Sequence, residues 1–282
     1  MNDGHAAKSI SQEYHGLIAR VANAIAVPPI DAVLLPAIAA DPLKQDEFGF
    51  VILADGSAGP FYTCLGDTRQ RLDALLPGRS LIGANPLALA HRLGTGDLYQ
   101  SALALGALNA VSQHVMRRAG FDPAQGGTGT DWEPSGRIGM VGYFGPLIAH
   151  YLARGLEIIV VERLPERVPD ELGLRVVTTP QALGECDVVI CTASTLINAS
   201  LDEVLAATKQ SAVVNLMGPS ASLLPDPLWS RGVDIVGGVE VDDVSLLRVA
   251  LAEGRSWGKT CRKYQLTRDS YPGLEWLLAR VL

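Results

Sequence analysis

The stretch Gly139-Met140-Val141-Gly142-Tyr143-Phe144-Gly145-Pro146-Leu147 decides the architecture of the second half of the chain. A dinucleotide loop at the first strand-to-helix turn carries three glycines in the pattern G-x-G-x-x-G. The first makes the turn, the second lets backbone approach a pyrophosphate, and the third lets helix and strand pack closely. Here Gly142 fits the first position, while the second would be Phe144 and the third Leu147. A bulky ring at the second position obstructs a diphosphate on the helix N-terminus, so classical NAD is disfavoured. Glu162 stands 20 residues after Gly142, where an acid normally receives ribose hydroxyls. The loop therefore predicts a Rossmann-like domain with an altered glycine turn. It fits a smaller adenosine-type nucleoside, such as S-adenosylmethionine, better than a dinucleotide. In the plainer alternative Glu162 is solvated or pairs with Arg163 or Arg167, and the loop is only a turn.

Working outward, apolar runs recur at Ile138–Val141, Ile158–Val161, Arg175–Val177, Val188–Cys191, Ala212–Leu216 and Ile235–Val236. Continuous runs of this kind suit strands covered on both faces, as in a parallel sheet. Thr179-Pro180 reads as an N-cap with proline at the first helical position, and Ser200 with Glu203 as a capping box. Six strands with crossover helices make an α/β, doubly wound Rossmann-like parallel sheet over residues 137–282. Residues 123–136 are rich in glycine and proline and read as a linker. Residues 1–122 read as a smaller α+β domain. Its expected parts are a helix carrying Tyr14, Leu17, Ile18, Val21 and Ile25 at helical spacing, strands at Asp31–Leu35, Phe48–Leu53 and near Phe61-Tyr62, and a turn at Asp55-Gly56. A short helix at Thr68–Leu76 and a long one at Asp97–Arg118 ending at Gly120 complete it.

The bulk properties narrow the function. The chain has 282 residues, 48% of them hydrophobic, enough for a sizeable core. Its net charge is -7 without a basic run, which argues against nucleic acid. Cys64, Cys186, Cys191 and Cys261 form no C-x-x-C pair, which fits reduced thiols in a cytoplasmic protein. No signal-peptide pattern opens the chain, and no apolar run approaches the ~20 residues of a membrane helix, so no membrane partner is expected.

Candidate ligand groups gather in the segments that follow the strands, where open α/β sheets bind. After Cys191 come Thr192, Ser194, Thr195 and Asn198. After Leu216 come Met217, Gly218, Pro219 and Ser220. After Val236 comes Gly237-Gly238, where backbone can approach a ligand closely. With Gly142, Tyr143, Phe144, Glu162 and Arg163 these form the candidate ligand-binding set, and ordinary turn chemistry is the competing account. Asn109 joins the set. It shares a helix face with Gly106 and Gln113, and a buried Asn must find partners, in a neighbouring loop, in backbone of the other domain, or on a ligand. No catalytic residue stands out. His5, His15, His91, His114 and His150 are scattered, and neither an H-E-x-x-H nor a G-x-S-x-G motif occurs. Cys191 reads as an inert buried thiol.

Leu105 to Ala110, Gly139 to Pro146, Val160 to Arg163, Thr192 to Asn198 with Ser200-Leu201-Asp202, and Met217 to Ser220, in this order and spacing, resemble the bacterial and archaeal family described as putative heavy-metal chelation proteins. The resemblance runs from about residue 10 onward. It implies an enolase-N-terminal-like domain followed by a Rossmann-like domain, with a ligand site in the cleft between them for a metal chelate or similar small molecule. The Cys and His residues lack the clustered spacing of direct metal ligands, so no metal-ligating residue is assigned. A metal ion, a metal chelate and an adenosine-type nucleoside remain the ligand candidates, and a homodimer is the remaining partner to consider. Whether a reaction is catalysed stays open at this point.

Overall fold

The computed structural model describes residues 8–38, 47–76, 81–126 and 133–281. Helix α1 (Ile10–Ala24) opens with a capping box: Ser9 Oγ accepts from the Gln12 amide while Gln12 Oε1 accepts from the Ser9 amide. Its buried face is Tyr14, Leu17, Ile18 and Val21, the helical spacing the sequence carries. Strands β1 (Ile30–Leu34), β2 (Phe48–Leu53) and β3 (Ala58–Tyr62) form an antiparallel meander. The β2–β3 turn uses Gly56 at φ +86° and closes with the Asp55 carboxylate on the Ser57 amide at 2.9 Å. Helices α2 (Thr68–Leu75) and α3 (Pro86–Ala90) follow.

Helix α4 (Leu98–Arg118) is the centre of the molecule. Every residue from Ser101 to Met116 is buried, so the helix is enclosed on all sides. One side lies on β3 so closely that a Cβ on Gly59 would stand 2.0 Å from the Gly106 carbonyl oxygen. The helix ends in a Schellman turn, with Phe121 N–H on the Met116 carbonyl, Gly120 N–H on the Arg117 carbonyl, and Gly120 at φ +68°.

The larger sheet contains β4 (Ile138–Val141), β5 (Ile158–Val161), β6 (Arg175–Val177), β7 (Val188–Thr192), β8 (Val213–Met217), β9 (Ile235–Val241) and β10 (Cys261–Thr267). Their spatial order is β10-β9-β8-β7-β4-β5-β6. All pairs are parallel except β9 with β10. This is the doubly wound order, reversing between β4 and β7. The α-helices of this half are α5 (Gly145–Ala153), α6 (Ser194–Ile197), α7 (Leu201–Ala207), α8 (Asp226–Trp229), α9 (Val244–Ala252) and α10 (Leu274–Val281).

Several expectations are corrected here. The six anticipated strands form, and β10 is a seventh that the sequence reading lacks; only Tyr264 and Leu266 along it are buried. The crossovers on either side of β6 are short 3₁₀ turns rather than α-helices. Thr179 and Ser200 make no side-chain cap, although Pro180 does open its 3₁₀ turn. Ser200 Oγ donates instead to Asn198 Oδ1 at 2.6 Å. Of the expected linker, residues 127–132 lie outside the described residues, while the turn Pro123–Gly126 packs against β10.

The two sheets share their core. One apolar cluster runs from Tyr14 and Phe61 through the α4 residues to Val189, Leu216 and Leu266. The opposite face of the small sheet is covered by the C-terminal half: Leu247 and Leu251 of α9 pack on Phe50, Ile52 and Ala58. Trp257 meets the Phe48 and Phe50 rings edge-on.

Candidate functional site

Strand order reverses between β4 and β7, the place where doubly wound sheets form a crevice beyond the carboxyl ends of their strands. Gly142 leaves β4 at φ +91°, a conformation that favours glycine. A Cβ there would meet Thr192 Cγ2 at 3.0 Å, so the glycine turn and the end of β7 lie against each other. Tyr143, Phe144 and Gly145 follow, half-buried. Helix α5 starts with no side-chain cap, because Phe144 at its N-cap has no acceptor to offer. The turn therefore presents open backbone N–H groups, with an aromatic ring where a phosphate-binding loop has a glycine.

The hydroxyls after β7 bond mainly among themselves. Thr192 Oγ1 and Ser194 Oγ are 2.6 Å apart, and Thr195 Oγ1 donates to the Thr192 carbonyl at 2.7 Å. Thr195 is buried; Thr192, Ser194 and Asn198 keep partial exposure. Turn chemistry thus explains much of a segment that the sequence reading assigned to a ligand. Cys191 at the end of β7 is fully buried, and burial pushes its thiol up to about 12, in keeping with an inert role.

Glu162 extends past β5, and its Oε1 accepts from the Leu164 amide at 3.1 Å. One carboxylate oxygen therefore organises its own loop. Arg163 beside it is exposed. Further along, Arg167 donates to Tyr62 Oη at 3.3 Å and to Glu47 Oε1 at 3.4 Å, and Tyr62 Oη donates to that same Glu47 oxygen at 3.1 Å. Burial, then the Glu47 charge, raises the Tyr62 phenol well above its ordinary value. This triad joins the β5–β6 connection to the small sheet. Sequence reasoning missed Glu47 and Tyr62, which carry no motif and meet Arg167 only through the fold.

After β8, Gly218 sits at φ +117° with open space where a Cβ would be. The 3₁₀ turn Pro219–Ala221 then brings Ser220 against α4. Asn109 is wholly buried and donates through Nδ2 to the Pro60 carbonyl at 2.7 Å and the Ser220 carbonyl at 2.9 Å. Of the partners the sequence offered it, backbone of the other half is observed at Ser220, beside backbone of its own half at Pro60. Asn109 Oδ1 and Ser220 Oγ are buried without a hydrogen-bond partner. Gly238 is a correction. It lies inside β9 rather than after it, and a Cβ there would meet the Tyr264 ring at 2.9 Å and the Ala221 carbonyl at 3.0 Å. Its bareness admits Tyr264 and the 219–221 turn, so packing accounts for it. Met217 and Pro219 remain half-buried at the strand end.

The residues thus brought to one edge are Gly142 to Gly145, Glu162, Thr192 to Asn198 and Met217 to Ser220, with β3 and α4 of the N-terminal half against the last group. Comparison with known proteins now adds the family. The family model described as "Putative heavy-metal chelation" matches residues 128–268. The chain belongs to this family. A solved family member from Pyrococcus horikoshii, itself of unknown function, superposes with a TM-score of 0.67 at 20% identity, covering 92% of this chain and 99% of that one. A second, from Desulfitobacterium hafniense, gives 0.63 at 18% identity, covering 91% and 99%. At those identities the likeness establishes the shared fold. An uncharacterized protein of Methanocaldococcus jannaschii is 30% identical over 152 residues, which are 52% of this chain and 57% of that relative's length. The family description raises a metal. The donors at the strand ends are hydroxyls, amides, backbone and the single carboxylate of Glu162, and no group of three or more His, Cys, Asp or Glu side chains comes together among the described residues. No helix among the described residues is long and apolar enough to cross a membrane.

Proposed function

We propose that this member of the heavy-metal chelation family binds a small molecule in the crevice where the β4, β5, β7 and β8 ends face β3 and α4. The observation that carries the reading is the contact of Gly142 with Thr192 at the point where strand order reverses. Both walls of a doubly wound binding crevice meet there. The uncapped start of α5 and the exposed space at Gly218 supply backbone donors and room on the same edge. With no clustered metal ligands among the described residues, a metal would arrive already held by a chelator that the crevice grips through its organic part. The chain would then act as a cytoplasmic binding or processing protein for that complex. Purification from the natural host, followed by native mass spectrometry and metal analysis, tests this. A retained small molecule, with or without metal, is the expected result. Protein that keeps nothing and gains nothing from a panel of chelates and cell extracts in equilibrium dialysis would sink it.

An adenosine-type cofactor is the second reading, favoured by the Glu162 oxygen that the Leu164 amide leaves free. Calorimetry with S-adenosylmethionine, ATP and NAD separates it from the first. A nucleoside affinity untouched by Glu162→Ala would remove Glu162 from that role. A homodimer, if it forms, is read by light scattering and bears on neither choice.

A further inference from the structure

We propose that His15 and His91 form a two-imidazole site for a divalent first-row transition metal, on the surface where α1 meets the end of α3. The two rings come from different helices, yet their centroids stand 5.1 Å apart with planes tilted by 39°. A metal held about 2.0–2.1 Å from one nitrogen of each ring fits that separation. Imidazole pairs select Cu²⁺, Ni²⁺ and Zn²⁺ over the hard cations that prefer carboxylates and water.

Two features of the pair suit ligation. His15 Nε2 lies 3.1 Å from the Leu93 carbonyl oxygen. A carbonyl only accepts, so Nε2 is the donor, and Nδ1 is the nitrogen left to face a metal. Metal-bound histidines are commonly oriented by this kind of bond through the second nitrogen. His91 is exposed and makes no side-chain hydrogen bond among the described residues, which leaves it able to turn a nitrogen toward a metal. The remaining coordination positions would be filled by water.

The other described histidines lack this arrangement. His114 is buried, with Nδ1 2.6 Å from the Asp55 carboxylate. His150 is exposed on α5 and contacts only the adjoining Tyr151 ring. The site lies outside the crevice and does not rest on the ligand reading given for it.

Titration calorimetry of the full, tag-free chain with Ni²⁺ and with Cu²⁺ tests the proposal. One metal per chain is expected. His91→Ala and His15→Gln should each weaken binding about tenfold or more, since loss of an outer-shell partner alone commonly costs that much. Glutamine can still donate to the Leu93 carbonyl, so His15→Gln separates ligation from local packing, and thermal melts confirm that each variant is folded. His150→Ala should leave binding unchanged. Folded His91→Ala and His15→Gln proteins that bind as the parent does would overturn the site. So would an equal loss in His150→Ala, or no binding by the parent at millimolar metal.

Discussion

Asn109 Nδ2 sits 2.9 Å from the carbonyl oxygen of Ser220, 111 residues further along the chain. The same amide nitrogen serves Pro60 of β3 at 2.7 Å, so one side chain ties the small sheet, the central helix and the end of β8. Asn109→Ala would strand two buried carbonyls, each worth about 1–3 kcal/mol when left unsatisfied. We expect a fall in urea midpoint of that order with an unchanged m-value. A midpoint within error of the parent would mean that water replaces the amide at no cost.

The close approach of β3 to α4 makes Gly59 intolerant of any side chain. A Cβ would lie 2.0 Å from the Gly106 oxygen and 2.3 Å from the Ala110 nitrogen, both rigid backbone. Gly59→Ala should destabilise by about 3 kcal/mol or more or abolish soluble expression. Gly16→Ala, where nothing stands within 4 Å, is the matching control and should express normally.

Asp55 gives stability a defined pH dependence. Burial works to raise its carboxyl. The His114 hydrogen bond, the Ser57 amide and the charges of Arg117 and His114 outweigh burial and hold it well below the usual carboxylate range. The unfolded chain therefore takes up this proton first as pH falls. The stabilisation is complete above about pH 4, the unfolded value, and is lost below it toward the folded value. Asp55→Asn should melt lower than the parent near neutral pH, with the gap narrowing as pH falls below about 4. A gap that stays constant with pH would show that the charge of Asp55 contributes nothing.

Thiol labelling should follow burial. Cys186 and Cys191 are buried, while Cys64 and Cys261 are half-exposed. Burial pushes Cys261 up to about 11 and Cys191 up to about 12. With iodoacetamide at neutral pH, mass spectrometry should find slow modification at Cys64 and Cys261 and none at the other two until denaturant is added. Rapid native labelling of Cys191 would reopen the case for it as a nucleophile.

Gly218 separates the crevice from the scaffold. Its φ of +117° is strained for any L side chain, at about 1–3 kcal/mol, but no atom obstructs a Cβ. Gly218→Ala should remain folded, with a modest loss in melting temperature, and should weaken retention of whatever small molecule copurifies. Undiminished retention would move the ligand away from the β8 end.

The strands buried on both faces were legible from the chain because continuous apolar runs such as Ile158–Val161 have few other uses. Strand β10 was not, since it opens with the adjacent charges Arg262-Lys263, and Arg262 lies among Asp122, Glu240 and Asp242, which reads as surface. The pair Gly237-Gly238 inside β9 hid the length of that strand and so put Gly238 at a strand end. In the site, Gly142 was readable from its motif and Asn109 from its polarity on an apolar helix. The hydroxyls of Thr192 to Thr195 could not be judged, because sequence shows which groups can bond and not which already do. Glu47 and Tyr62 needed the tertiary fold to meet Arg167.

Leu247 and Leu251 of α9 cover the outer face of the small sheet, and α4 covers its inner face. A chain severed near residue 136 would leave the first piece with Phe50 and Ile52 open to water and the second with Leu216 and Leu266 bare. Neither fragment should be expected to hold its shape alone, and mixing the two should restore a fold that each lacks. The boundary that composition draws between the halves is thus a change of architecture along the chain whose two sides share buried apolar packing.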